Sequence, residues 1–307
     1  MSSVARDEPG PATPAREESP WRRFATEFAE SKLALAGLAM LALIAVVALA
    51  APVISPQNPY DLAQLDVMDS KLPPGEHSSA TGKPYVLGTD DQGRDMLSGI
   101  FYGLRISLAV GVASTVCALV LGLAAGLAAA YFGGWVDAVL MRVADIQLSF
   151  PAILIALVLL AVLGQGVGKI ILALVTVQWA YYARTVRSTA MVERQKEYME
   201  AAKVLALPRW RIVLRHLLPN CLPPLIVVAT VQVAHAISLE ATLSFLGLGL
   251  PITEPSLGLL IANGFQYLLS GKYWISFYPG LALLLTIVAI NLVADQLRDV
   301  LNPRLKR

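Results

Sequence analysis

Twenty-two consecutive residues, Leu33 to Ile54, carry no charge, and thirty-one more, Ile106 to Val136, repeat the pattern. A helix of about 20 apolar residues crosses the roughly 30 Å hydrocarbon layer of a bilayer, so each stretch predicts a membrane span. The first is expected to be a retained anchor, not a cleaved leader, because 32 residues with charges precede it and its apolar run is long. Inside the second, Gly122 and Gly126 stand at the spacing that lets another helix come close. In a Gly/Ala-rich run that spacing also arises by chance. A third span is expected from about Ile146 to Gly164, containing Pro151. A fourth, Ile170 to Ala183, is short unless Lys169 snorkels and the helix continues past Arg184. A fifth runs from about Leu222 to Leu239, after the proline-rich Pro219–Pro224, and a sixth from Tyr278 to Ala294. Only 15% of residues are charged and the mean hydropathy is +0.61, against about 25% charged in soluble domains. The expected class is an all-α polytopic membrane protein with six transmembrane helices.

Charge placement orients the spans. Eighteen of the 24 Lys and Arg fall on one face: before residue 33, in the 132–142 turn, in 184–215 and after 297. Basic residues mark the cytoplasmic side, which predicts cytoplasmic termini. The expected organisation is a cytoplasmic segment 1–32, rich in Pro, Ala, Glu and Arg and partly disordered; a span 33–54; an outward loop 55–102; a five-span core 103–296 with a cytoplasmic loop at 197–220; and a cytoplasmic tail 297–307. The outward loop is acidic, with Asp61, Asp66, Asp69, Glu76, Asp90, Asp91 and Asp95 among its residues.

"EYMEAAKVLALPRWRIVLRHLLPN", Glu197 to Asn220, departs from the apolar monotony. Helix formers from Glu197 to Ala206 end at Leu207-Pro208, because proline disfavours helical geometry before it and lacks its own N–H. A second amphipathic run follows through Trp210, Ile212, Val213 and Leu217. A helix lying on lipid gains from a continuous apolar face and has no use for this bend. Two short helices at an angle make a knob suited to a protein cleft.

Glu200-Ala201-Ala202, with Leu217-Leu218-Pro219 downstream, resembles the EAA loop of type I ABC importer permeases. "VLGTDDQGRDMLSGIFYGLRISL" (86–108), "YFGGWVDAVLMRVADIQLSFP" (131–151), "EATLSFLGLG" (240–249) and "LRDVLNPRLKR" (297–307) are similar to the C-type subunit of dipeptide, oligopeptide and nickel importers. The resemblance implies a type I permease fold and a non-catalytic chain forming half of a heterodimeric pore. Implied partners are a second, B-type permease subunit, two cytoplasmic ATPase subunits, an extracytoplasmic substrate-binding protein and the lipid membrane; no nucleic acid is implied. No cofactor belongs to the chain itself, since ATP and Mg sit on the ATPases. The cytoplasmic loop becomes the coupling element, with Glu200, Ala201, Ala202, Ala206, Pro208, Trp210 and Pro219 as its residues. The signature's glycine falls at Ala206, so Pro208 is expected to supply the bend.

Asp145, Glu240 and Asp295 sit in or beside spans, where ionised groups are costly; they are expected to hold helices in register or to line the path. His77, His216 and His235 are isolated, and Cys117 and Cys221 are packing residues. "LGQGVGKII" lacks the first glycine and the hydroxyl of a phosphate loop. An ion-coupled carrier would call for paired intramembrane acids or repeated halves, and a membrane-anchored enzyme for a catalytic constellation; neither is evident. Peptide cargo is favoured over nickel because no Met/His/Cys ladder runs along the spans. Glutathione and other small solutes share the same motifs.

Overall fold

The computed structural model describes residues 20–251 and 253–301. Among them there is no β-strand, only two isolated bridges in the outward loop. The helices are α1 (Pro20–Ala29), α2 (Lys32–Ile54), α3 (Met96–Phe132), α4 (Gly134–Leu148), α5 (Ala152–Leu163), α6 (Val167–Glu193), α7 (Glu197–Val204), α8 (Arg209–Arg211), α9 (Leu218–Phe245), α10 (Leu257–Phe265) and α11 (Trp274–Leu301). A π-helical segment, Ile212–Leu217, joins α8 to α9.

Four helical stretches are long and apolar enough to cross a membrane: Lys32–Ile54, Met96–Phe132, Arg209–Phe245 and Trp274–Leu301. The expected span Ile146–Gly164 is instead a break. Ile146 lies in the last turn of α4, Pro151 caps α5, and the two helices meet at 90°; counted as one span, they make a fifth. The second expected span stops at Phe132, because Gly133 and Gly134 both adopt positive φ and end the helix there. α6 does start before Lys169 and continue past Arg184. It is two-faced: Leu174, Gln178, Tyr182 and Val186 are fully buried on one side, while Tyr181, Arg184 and Ser188 lie exposed on others.

α3 and α6 pack backbone to backbone. A Cβ on Gly122 would stand 2.4 Å from Tyr182 Cβ and 2.5 Å from the Trp179 carbonyl; one on Gly126 would stand 2.6 Å from the Ala183 carbonyl. The Gly-x3-Gly spacing is therefore a contact face. α4 is laid along the other side of α6 by polar pairs. Arg187 grips Asp137 with two guanidinium nitrogens, Arg184 meets Asp145 at 2.5 Å, and Trp179 Nε1 donates to Gln147 Oε1 at 2.7 Å. Arg184 and Arg187, counted above only for orientation, thus also serve packing.

Three elements escaped the sequence reading. α1 forms within the N-terminal lead, and residues 1–19 and 302–307 of the two expected cytoplasmic segments lie outside the described residues. α10 inserts between α3, α9 and α11, burying Leu257, Leu259 and Leu260. The fifth span does not begin after the prolines: Arg209–Phe245 is continuous, with Pro223 and Pro224 inside it. Upstream of them the π register lets Leu218 N–H reach the Val213 carbonyl, accommodating Pro219, which has no N–H to give.

The outward loop folds into a lobe whose acids are largely spent internally. Asp69 accepts from Ser79 N–H at 2.9 Å and Tyr85 OH at 2.8 Å; Asp95 caps α3 through Ser98 N–H at 2.8 Å. Trp274 Nε1 donates to the Thr89 carbonyl, tying the lobe to α11. Asp90 is buried, and one of its oxygens accepts from the Gln92 and Arg94 backbone N–H groups. Burial pushes its carboxyl up to about 6, opposed by the Arg94 N–H and guanidinium.

Two expectations follow. Gly122→Ala or Gly126→Ala costs about 1–3 kcal/mol through overpacking and lowers the thermal midpoint in detergent, whereas Gly280→Ala, with open space around it, does not. Asp90 binds a proton more tightly folded than unfolded, so it favours the lobe fully below pH about 4. That contribution fades as pH rises through about 6. Hydrogen exchange of residues 66–95, corrected for intrinsic rates, should show greater protection at pH 4.5 than at 7.5, and Asp90→Asn should flatten the difference.

Candidate functional site

Where α6 ends, the chain turns through α7 and re-enters the bundle along Arg209–Phe245. Glu193, ten residues beyond the apolar stretch of α6, organises the turn. It accepts from Lys196 Nζ at 2.6 Å and from Tyr198 OH at 2.8 Å. Burial works to raise its pKa, but the Lys196 and Tyr198 bonds outweigh burial and hold the carboxyl below its ordinary value. Asn220 Nδ2 donates to Tyr198 OH at 3.1 Å and to the His216 carbonyl at 2.7 Å. One chain of polar contacts thus links the end of α6, the start of α7 and the start of α9. Arg194 adds a bond from its guanidinium to the Ala130 carbonyl of α3.

The apolar side of the same turn is rooted in the core. Met199, Ala202, Ile212 and Leu217 are buried in one cluster with Tyr182 and Val186 of α6 and Leu127 of α3. Ala202 therefore packs inward, against the chain's own helices. Glu200 and Ala201 are exposed, as are Ala206, Pro208, Trp210 and Pro219. Glu197 and Glu200 occupy the first turn of α7, where a negative charge complements the helix dipole.

Ala206 makes the reversal. Its φ is +50°, a left-handed conformation that glycine takes freely and alanine takes at a cost of about 1–2 kcal/mol. Leu207 N–H bonds to the Ala202 carbonyl at 3.2 Å, and Leu207 packs on the cluster containing Ala202. This is the Schellman closure of a helix end, with alanine in the position that usually holds glycine. Pro208, extended at φ −62° and ψ 141°, then caps the next turn. The bend is shared between Ala206 and Pro208.

The turn presents apolar side chains to its surroundings. Val204 is 86% exposed, Leu205 72% and Trp210 63%, with the Arg211 guanidinium 5.5 Å from the Trp210 ring centroid. Val204 and Leu205 were not singled out from sequence, although an apolar pair within a basic, helix-breaking segment was the available signal. Nor were Glu193, Tyr198 and Asn220, whose partnership spans residues far apart in the chain.

The three intramembrane acids do not converge. Asp145 is held by Arg184. Glu240 is fully buried and accepts from Ser107 Oγ of α3 at 3.0 Å and Ser244 Oγ at 2.8 Å. Asp295 is exposed on α11 beside a cavity of about 1030 Å³ bounded by α6, α9 and α11, whose polar lining includes Tyr181, Thr185, Gln232 and Arg298. Among the described residues no group of three or more His, Cys, Asp or Glu is placed to hold a metal ion.

Comparison with known proteins adds to this geometry. Residues 96–307 match the family described as binding-protein-dependent transport system inner membrane component. Residues 19–74 match the N-terminal transmembrane domain of oligopeptide transport permease C. The dipeptide transport system permease protein DppC of Escherichia coli K12 is 39% identical over 311 residues, covering all of both chains. That of Alkalihalophilus pseudofirmus is 34% identical over 97% of this chain and 96% of its own. An inward-facing structure of the MetNI methionine ABC transporter superposes with a TM-score of 0.54 at 21% identity, covering 67% of this chain and 98% of that one. That superposition establishes the fold alone.

Ala206→Gly should relieve the left-handed strain, offset in part by a freer unfolded chain, for a net gain of about 0.5–1 kcal/mol. Exchange at the Leu207 amide should slow roughly two- to fivefold; an unchanged or faster rate would show the turn unstrained.

Proposed function

The chain belongs to the binding-protein-dependent transport system inner membrane component family, and from that membership we propose that it is the C-type pore subunit of an ATP-driven peptide importer. Full-length similarity to dipeptide permeases supports the cargo class. In this reading α2, α3, the α4–α5 pair, α6, Arg209–Phe245 and α11 make six spans, with both termini cytoplasmic. A B-type subunit completes the pore, an extracytoplasmic protein delivers the peptide, and two ATPase subunits bind ATP and Mg. The chain itself carries no catalysis.

The observation that carries the coupling role is the exposed turn between α6 and α9. Glu200, Ala201, Val204, Leu205 and Trp210 would seat in a cleft of the ATPase, with Ala202 anchoring the turn from within. Because Glu193, Tyr198 and Asn220 clamp both flanking helices, a displacement of the turn moves α6 and α9 together. ATP bound at the partner supplies the differential affinity that any such change of state requires. Asp145 and Glu240 act as register contacts, and Asp295 is the acid placed to meet the path.

The test is co-purification and uptake. Val and Leu side chains contribute about 1.5–3 kcal/mol each when buried, so Val204→Asp with Leu205→Asp should weaken ATPase association by at least about 100-fold. Glu200→Lys should weaken it too, with membrane insertion intact in both variants. Peptide uptake should fail without ATP and survive an uncoupler. Association unchanged in both variants would remove the coupling role; uptake that collapses with the uncoupler alone would point to an ion-coupled carrier.

A further inference from the structure

A groove of about 680 Å³ runs between α2, α3 and α9 on the outside of the bundle. Its walls are helical stripes. α3 contributes Arg105, Leu108, Val112 and Leu119, and α9 contributes Leu222, Ile226 and Val233, all at steps that keep one face in line. Ala45, Ala109 and Ala229 line it as well, and their small side chains leave the trough unfilled. Thr230, the one hydroxyl in the lining, donates to the Ile226 carbonyl of its own helix. Leu49, Val112 and Ile226 remain exposed along it. The surface is apolar from end to end except for a single charge at its outer mouth, Arg105.

Arg105 is placed for a phosphate. It immediately precedes the uncharged run that begins at Ile106, which sets it at head-group level on the outward side. Tyr60 and Tyr102, edge to face at 5.1 Å, stand beside it, as aromatic side chains do at a membrane interface. Among the described residues no carboxylate forms an ion pair with it. From Arg105 to Leu119 the groove follows α3 for about 21 Å, compared with about 15 Å for one leaflet's hydrocarbon. The trough is thus long enough to hold the full length of one acyl chain hanging from a head group at the arginine.

We propose that the groove is a binding site for one anionic phospholipid of the outer leaflet, its phosphate on Arg105 and an acyl chain along Ala109, Val112 and Ala229. A guanidinium offers paired, charge-assisted donors to phosphate, and Arg105 is exposed and in no ion pair among the described residues, although Glu254 also acts on the neighbouring Tyr60. The site is independent of the transport reading: it needs only the bundle and its membrane.

Native mass spectrometry of the intact membrane assembly, supplied with equal phosphatidylglycerol and phosphatidylcholine, tests this. The unaltered protein should retain one phosphatidylglycerol in preference. Arg105→Gln should reduce that preference at least tenfold, and Arg105→Lys should keep most of it. Ala229→Trp should displace lipid of either head group. A photo-crosslinker at Ile226, in a protein otherwise unaltered, should capture lipid and gives a result that does not depend on the tryptophan variant folding. Equal retention by the unaltered protein and Arg105→Gln would overturn the proposal. So would capture of a polypeptide at Ile226, which would make the groove a subunit contact.

Discussion

The close approach of α3 and α6 is the constraint on which the arrangement rests. With no Cβ at Gly122 or Gly126, the α3 backbone reaches Tyr182 and the Trp179 and Ala183 carbonyls. In lipid there is no hydrophobic force to press helices together, so such dispersion contacts between surfaces of small residues must supply much of the adhesion. Burial of α6 against α3 encloses Gln178, while Arg184 and Arg187 on the opposite side of α6 are paired with Asp145 and Asp137. Those arginines hold α4, and the end of α6 supplies Glu193 to the turn between α6 and α9. Separate α3 from α6 and the turn loses its foundation.

Much of this architecture was legible because membrane spans leave a plain signal in composition. α2 matches its expected range almost residue for residue, and α11 differs only in extending further at both ends. What was hidden is what depends on partners distant in sequence. α10 is too short to stand out, and it is helical because α3, α9 and α11 enclose it. The third span reads as one apolar stretch, yet Pro151 turns it through a right angle. The prolines of the stretch Pro219–Pro224 looked like an entrance to a helix. They lie inside one, since the π segment re-registers the backbone bonds just upstream.

The turn between α6 and α9 was legible in outline for a local reason: its helix formers and its break occupy consecutive residues. Its internal division of labour was not. Glu200 and Ala201 face outward, whereas Ala202 is buried with Met199 beneath the turn. Assigning the whole bend to Pro208 understated Ala206, which itself adopts the conformation glycine would have taken. The acidic outward loop gave a misleading impression of free charge. Asp69, Asp90 and Asp95 are spent on their own lobe, so surface charge counted from sequence exceeds what a partner would meet.

The continuous helix from Arg209 to Phe245 has the geometry of a lever arm. One portion is pinned by Glu240 to Ser107, and the far tip carries the exposed Trp210. With that pin as fulcrum the arm is about 45 Å long, so a swing of about 5° would carry the tip through roughly 4 Å. A small rotation at the pin and a larger excursion at the tip are geometrically one motion at two radii.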